Sequence, residues 1–402
     1  MSNKDGTFDV IVVGAGVGGA AFALALAHAY SVRVLVLERH PGPGNINRGD
    51  SLLPTVTAHL SAWGALERCY TAGAQRLTRM QVFHRHAGLL LDAPLTQPES
   101  QYPYLVLPHP EIERTLADTA LATGHVFIRY RCHVTQLNED QGRITGLTFV
   151  DEAGHTQQVY ARLVVGADGS SSAVRNALGI PLVRVPYNHS FFVVDVGRPS
   201  HYEDALRVEL HPAGGILIVP GVGGVALAAL IRREDEAQFR SWSLEQRIAA
   251  IAQRSSLLAG VQAFPKSAHL YQLARAHAPR YTARGAVLLG DAVHLTNPTA
   301  GQGMTMAIGD AAALARHVGP ALVTEGRSTA IDAALTAYEA ERRPVNVGLI
   351  RWSHWLSRIY ALGGPVSDAL HRYVFAFGGS PLGRYLHHTI WTRVAMEKGW
   401  AL

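Results

Sequence analysis

Cysteine is nearly absent. The chain has two in 402 residues, Cys69 and Cys132. They form no CxxC pair and no zinc spacing, which removes a disulfide framework and a zinc module. A reducing cytoplasm fits such sparse thiols. Long apolar runs are missing too. The segment from Val10 to Leu26 is cut by four glycines, and no other stretch reaches the roughly 18 uninterrupted apolar residues of a membrane span. The start, MSNKDGTF, carries no signal-peptide core, so a cytoplasmic protein is expected. There is no low-complexity run, no internal repeat, no serine–histidine–acid order and no metal-ligand cluster. The 20 histidines are scattered. His84 and His86 alternate in a strand-like segment, where a wet sheet face explains them better than a metal.

Charge is also low. Charged residues make up 17% and the net charge is +5. The surplus is local: residues 341–402 hold seven Arg and one Lys against three acids. With the rest of the chain balanced, no nucleic-acid partner is expected.

At 402 residues the chain exceeds what one core usually serves, so two interleaved domains are expected. Residues 8–38 read as strand, helix, strand. Helices are expected at 50–73 and 110–123, and strands at 126–135, 143–150 and 157–165. From about Pro181 to His269 the texture becomes short strands with turns between them, as in an antiparallel sheet. From residue 284 the α/β texture returns, with a helix over 303–317. After Pro344 the chain reads as helical and aromatic.

Gly14, Gly16 and Gly19 satisfy GxGxxG between a strand and a helix. The first permits the tight turn, the second lets backbone approach a pyrophosphate, and the third lets helix pack on strand. The helix N-terminus offers N–H groups and positive dipole charge to the phosphates. Glu38 ends the second strand 19 residues after Gly19, where a carboxylate can accept from a ribose. The pattern 221-GVGGVA-226 matches the motif loosely, but Pro220 precedes it and strands flank it. It reads as a hairpin, so no second Rossmann unit is expected for a nicotinamide.

A second glycine turn lies in 288-LLGDAVHLTNPTAGQGMTMAIGDA-311. Asp291 at a strand end can hold a ribityl or ribose hydroxyl, and a helix start follows at Gly301-Gln302-Gly303. One long cofactor would explain both turns, with adenosine diphosphate at the first and riboflavin at the second.

Three motifs in this order resemble those of the class A FAD-dependent aromatic hydroxylases, the family of para-hydroxybenzoate hydroxylase. They are 14-GAGVGG-19 with Glu38, 166-GADGSSSAVR-175 and 290-GDAVHLTNPTAGQGMT-305. The resemblance implies an α/β fold: a Rossmann-like FAD-binding domain with an inserted antiparallel β-sheet substrate domain and a helical C-terminal tail. The divisions expected are 1–75, 101–180 and 276–343 for FAD, 76–100 and 181–275 for substrate, and 344–402 for the tail. Cofactor contacts are expected from Gly14, Gly16, Val17, Gly18, Gly19, Glu38, Arg39, Arg48, His109, Asp168, Asp291, Pro298, Gly301, Gly303 and Met304. Of these, Asp168, together with Arg175, would act largely on structure and on the pyrophosphate or nucleotide approach. Pro298 would lie beside the flavin ring on the substrate side. The sequence departs from the family at Asn297, where Pro is common, at Thr305, where Asn is common, and at His109, where Arg or Gln is common.

The resemblance implies a monooxygenase. By the same resemblance NADH or NADPH would reduce the flavin, oxygen would add as a C4a-hydroperoxide, and one oxygen atom would pass to the substrate by hydroxylation or epoxidation. No residue need be catalytic in itself. Tyr187, Phe191, Phe192, Leu217 and Val219 are the expected substrate contacts, and they suit a hydrophobic aromatic or heteroaromatic compound. Arg207 is the exception, a strand arginine that suits solvent or a substrate carboxylate. Two other readings stand beside this one: a reductase or saturase of isoprenoid chains without oxygen insertion, and a flavin-binding protein without turnover. In the tail, Trp352, Trp355, Leu356 and Ile359 have helical spacing, and four of six tryptophans follow residue 350. Aromatic and basic together suit a peripheral membrane contact. They equally suit packing over the flavin domain, capping of the substrate pocket or a homodimer contact; a monomer remains open.

Overall fold

The segment TFDVIVV forms a strand, Thr7–Val13, because its branched residues can be buried on both faces, and Val10, Ile11 and Val12 are fully enclosed. In the computed structural model the described residues are 7–44, 50–96, 101–221, 223–264, 267–324 and 328–361, with scattered positions from 369 to 383. Thr7–Val13 is central in an eight-stranded sheet. The strands run Thr282–Ala283, Ala286–Leu288, Thr156–Gly166, Thr7–Val13, Val34–Leu37, Val126–Arg129 across it. The five from Ala286–Leu288 onward are parallel. Arg143–Val150 and His133–Asp140 extend Thr156–Gly166 as antiparallel neighbours. Helices Val17–Ala29 and Gln302–Val323 pack against each other beside this framework. Their small residues allow the close approach: Ala20, Ala21, Ala23 and Ala311 are buried.

The middle of the chain builds a second eight-stranded sheet. Its order is His294–Leu295, His269–His277, Val183–Gly197, Gly224–Arg232, Ile216–Gly221, Leu206–Leu210, Arg79–His84, Gly88–Pro94. One face carries Phe192, Ile216, Ile218 and Ala229 against Phe239, Ile248 and Ile251 of helices Arg233–Ser241 and Leu244–Ala252. The other face packs Val219 against Leu77, Tyr104 and Val106. Further along the sheet, Val208 and Leu217 meet Ile359 and Tyr360 of the helix Ser328–Ala361. The edge strand His294–Leu295 is pivotal. It pairs with Ala276 and His277, so the second sheet runs directly into the second glycine turn.

The expected helix at 50–73 is instead a strand, Asp50–Leu52, and two helices, Pro54–Ala62 and Leu66–Thr71. Pro54 starts the first helix, and Gly64 at φ 71° separates the two. The hairpin at 221–226 is present, with Gly221 paired to Gly224. His84 ends its strand buried and His86 is exposed in the following turn, with the two rings 6.0 Å apart. The expected boundary at Pro344 falls inside one continuous helix, Ser328–Ala361. Arg342, Val345 and Asn346 are all buried around the proline, and this packing offsets the lost backbone hydrogen bond. Among the described residues no helix is long and apolar enough to cross a membrane.

Candidate cofactor cleft

Four adjacent parallel strands end on one edge of the framework sheet, and each delivers a motif there. Val34–Leu37 delivers Glu38, Thr7–Val13 delivers the first glycine turn, Thr156–Gly166 delivers Asp168, and Ala286–Leu288 delivers Asp291. Ligands of open α/β sheets bind at such carboxyl edges.

The glycines of the first turn divide by role. A Cβ at Gly14, whose φ is 102°, would lie 2.5 Å from the Ala167 carbonyl oxygen; one at Gly19 would lie 2.0 Å from that of Gly14. At Gly18 it would lie 2.8 Å from Leu289 and 3.5 Å from Ala307. These three permit packing. Gly16 differs: among the described residues a Cβ there meets only Glu113 Oε1, at 3.6 Å. No side chain caps the helix it starts. Gly16 therefore leaves an open cradle in front of uncapped amides, which fits a diphosphate. Val17 is the first residue of that helix.

Glu38 Oε2 accepts from Ala15 N at 2.8 Å, and Oε1 accepts from His40 N at 2.9 Å. The carboxylate is thus fixed beside the turn. Arg39 is exposed. His109 pairs with Glu113 at 3.2 Å, and Glu113 accepts from Gly44 N at 2.8 Å. His109 and Glu113 therefore stand over the first turn. Arg48 lies outside the described residues.

Asp168 caps the helix Ala173–Ala177: Oδ2 accepts from Ala173 N at 2.6 Å and Val174 N at 3.2 Å. Its other oxygen is buried with no partner among the described residues, and the Asp168 Cα lies 3.1 Å from a Cβ built on Gly14. Arg175 is buried and donates to the carbonyls of Ser170 and Ala292, tying the second motif to the third.

The second glycine turn is held from below and from the side. Below it, Asp310 is fully buried and accepts from Gly290 N at 3.2 Å, Arg342 Nε at 2.8 Å and Asn346 Nδ2 at 2.9 Å. His294 completes the set at 2.7 Å. Burial pushes the Asp310 pKa up, but His294, Arg342 and the hydrogen bonds outweigh it and hold the carboxyl below its ordinary range. From the side, the buried Asn297 accepts from Thr299 N at 3.0 Å and approaches His189 Nε2 at 3.4 Å. Ser353 donates to the Asn297 carbonyl at 2.6 Å, and Ser357 meets His189 at 3.1 Å. Burial lowers the His189 pKa to about 4, so its ring is neutral.

Above this support, Asp291 and Pro298 are exposed. Gly301, at φ 62°, starts the helix Gln302–Val323 with no side-chain cap. The amides of its first turn belong to Gln302, Gly303 and Met304. Gly18 packs on Ala307, so the first-turn helix and this one lie side by side. Ala307 is five residues into its helix, about 7.5 Å of rise from the helix start. The two glycine turns thus share one edge.

On the second sheet, strand alternation sorts the expected substrate residues. Phe191 pairs with Leu230, and Phe192 with Ala229, so the two aromatics face opposite ways. Phe192 belongs to the core under the helices, its ring 5.1 Å from Phe239; it does not face the cleft side. Tyr187, Phe191, Leu217 and Val219 share the other face. Arg207 stacks on Phe83 at 3.6 Å and pairs with Glu209 at 2.6 Å, a local contact on the sheet. Sequence reasoning missed Glu113, His189, Asp310, Arg342, Asn346, Ser353 and Ser357. Most of these meet partners far along the chain, which leaves no local signature.

Residues 7–353 match the protein family described as FAD binding domain. The ubiquinone biosynthesis monooxygenase COQ6 of Xenopus tropicalis is 27% identical over 353 residues, covering 78% of this chain and 75% of the relative. Rifampicin monooxygenase of Streptomyces venezuelae is 30% identical over 344 residues, covering 84% and 68%. Among solved structures, Pseudomonas aeruginosa PqsL in complex with 2-aminobenzoylacetate aligns with a TM-score of 0.76 at 25% identity, covering 88% of this chain and 97% of that one.

Proposed function

For a chain that belongs to the FAD binding domain family, and is an FAD-dependent monooxygenase of the aromatic-hydroxylase type, we propose the following reaction. NADH or NADPH and O2 are used to hydroxylate or epoxidise a hydrophobic aromatic or heteroaromatic small molecule. The observation that carries this reading is the shared edge: Gly16, Glu38, Asp168, Asp291 and the helix start at Gly301 all open on it. The chemistry supplied by bound FAD is hydride acceptance from the nicotinamide, then delivery of one oxygen atom of O2 to the substrate, with the other leaving as water.

The chain's own residues bind, orient and exclude water. Gly16 and the amides after it take the pyrophosphate, with Gly14, Gly18 and Gly19 shaping the turn. Glu38 takes the adenosine ribose. His109 lies on the phosphate side. Asp168 braces the turn, and Asp291 takes the ribityl chain. Gly303 and Met304 present amides to the flavin ring, where negative charge gathers on reduction. Pro298 borders the substrate side. The framework of residues 1–75, 101–180 and 276–343 serves the cofactor, and the second sheet serves the substrate. The substrate lies on the sheet face that carries Tyr187, Phe191, Leu217 and Val219. The end of the helix Ser328–Ala361 closes over that face through Ser357, Ile359 and Tyr360, keeping water from the reacting centre.

The test is a substrate screen on the purified yellow protein that follows nicotinamide oxidation, corrected for peroxide, together with oxygen uptake. Oxygen uptake that rises with an aromatic compound, one oxygen atom appearing in the product, is expected. Flavin reduction with product formed anaerobically points instead to a reductase. Failure of both nucleotides to reduce the flavin overturns the reading.

A further inference from the structure

One corner of the second sheet holds polar groups that the fold leaves without partners. Among the described residues the Tyr187 hydroxyl, His354 Nδ1 and the Thr296 hydroxyl, all buried, have no hydrogen-bond partner. Buried polar atoms are almost always paired, so these orphans point to a missing ligand group. The Tyr187 and His354 rings are 5.7 Å apart. Thr296 follows the edge strand directly, and its methyl lies 3.9 Å from a Cβ built on Gly303, at the flavin-ring end of the cleft.

Arg275 adds a charge to this corner. It sits opposite Val185 in the strand pairing. Tyr271, four residues earlier on the same strand, sits opposite Phe191. Arg275 therefore shares the face of Phe191. It is half-buried and forms no ion pair or hydrogen bond with any described residue. Its charge reaches both neighbours: burial raises the Tyr187 pKa and Arg275 pulls it back, while burial and then Arg275 lower that of His354. The same face is exposed at Val183 and Val185 and buried at Phe191. Tyr187 and Arg275 thus stand at the boundary between a wet mouth and an apolar interior.

We propose that Arg275, Tyr187, His354 and Thr296 form a subsite for an ionised oxygen group, in the simplest case a carboxylate, on an otherwise apolar aromatic ligand. A guanidinium with hydroxyl and imidazole donors matches a carboxylate's oxygens. The apolar body would lie inward along Phe191. This rests on the reading of that face as the substrate side, and it sharpens the expected substrate from a neutral aromatic to an aromatic acid.

The test uses the FAD-loaded enzyme and two matched pairs, benzoate with benzamide and 2-naphthoate with 2-naphthamide. Binding is read from the flavin absorbance change and from thermal stabilisation, neither of which needs turnover. The acid of each pair should bind at least tenfold tighter. Arg275→Met should bring that ratio close to one with FAD content unchanged. Arg275→Lys should keep part of the preference, and Tyr187→Phe should weaken the acid alone. Pairs that bind alike, or fail to bind, overturn the subsite, as does a ratio that survives Arg275→Met. Oxygen uptake across the full substrate screen, measured on the same preparations, separates the two readings. Acid preference without oxygen insertion leaves the subsite standing and removes the oxygenase. Turnover with no acid preference does the reverse.

Discussion

Replacing Gly16 by alanine should leave the protein folded and cost it the cofactor. Gly16 sits at φ −64° and ψ 178°, which alanine adopts freely. Among the described residues the new methyl would meet only Glu113 Oε1 at 3.6 Å, an ordinary contact. Stability without FAD should therefore change by less than about 0.5 kcal/mol. With a pyrophosphate on the helix N-terminus, the same methyl stands between phosphate and amides. Losing one or two charge-assisted hydrogen bonds, at about 1.5–3 kcal/mol each, gives a loss of about 3 kcal/mol. That corresponds to binding more than about 100-fold weaker. Gly19→Ala is the contrast. Its Cβ would fall 2.0 Å from the Gly14 carbonyl oxygen, so backbone must move. Overpacking of that kind costs about 1–3 kcal/mol or more before any ligand binds. The assay pairs denaturant unfolding of the FAD-free proteins with fluorescence titration by FAD. A folded Gly16→Ala protein that binds FAD as the wild type does refutes the reasoning.

Asp310→Asn leaves the Arg342 guanidinium buried without its carboxylate, and should cost about 3–5 kcal/mol; an unchanged urea midpoint contradicts this. His189 titrates near 4 when folded and near 6.5 when unfolded, so between these values the unfolded chain holds a proton that the folded chain lacks. Stability is then lost as pH falls from about 6.5 to about 4, by up to about 3 kcal/mol from this group. His59 and His277 are lowered to about 4 as well, so His189→Gln should reduce the slope of the stability profile in that window by the share of one histidine, and a wild-type slope in the variant rejects the assignment. Phe192→Ala should lower stability by about 3–5 kcal/mol through loss of core packing, with substrate KM unchanged. Phe191→Ala should raise KM with a smaller loss of stability; the opposite pattern would mean that the two faces of the strand are reversed.

That the motifs gather on one sheet edge was largely legible in the sequence because their determinants are local. Gly14 to Gly19 sit between a strand and a helix within a few residues, and Glu38 directly follows the next strand. The support beneath that edge was not legible. Asp310 and Arg342 are 32 residues apart, and Asn297 and His189 are 108 apart; no periodicity announces such pairs. The facing of Phe191 and Phe192 depends on the phase of one strand. That phase follows an irregularity in pairing between Pro186 and Ser190, which composition does not reveal. Pro344 read as a helix boundary because proline removes a backbone bond. Buried Arg342 and Asn346 on either side hold the helix through it.

The most direct measurement compares the affinity of the FAD-free protein for FAD and for FMN, which lacks the adenosine end. One molecule held at both glycine turns predicts one FAD per chain, and binding of FMN weaker by at least about 100-fold, the equivalent of about 3 kcal/mol. Equal affinity for the two flavins, or two flavins per chain, would contradict it.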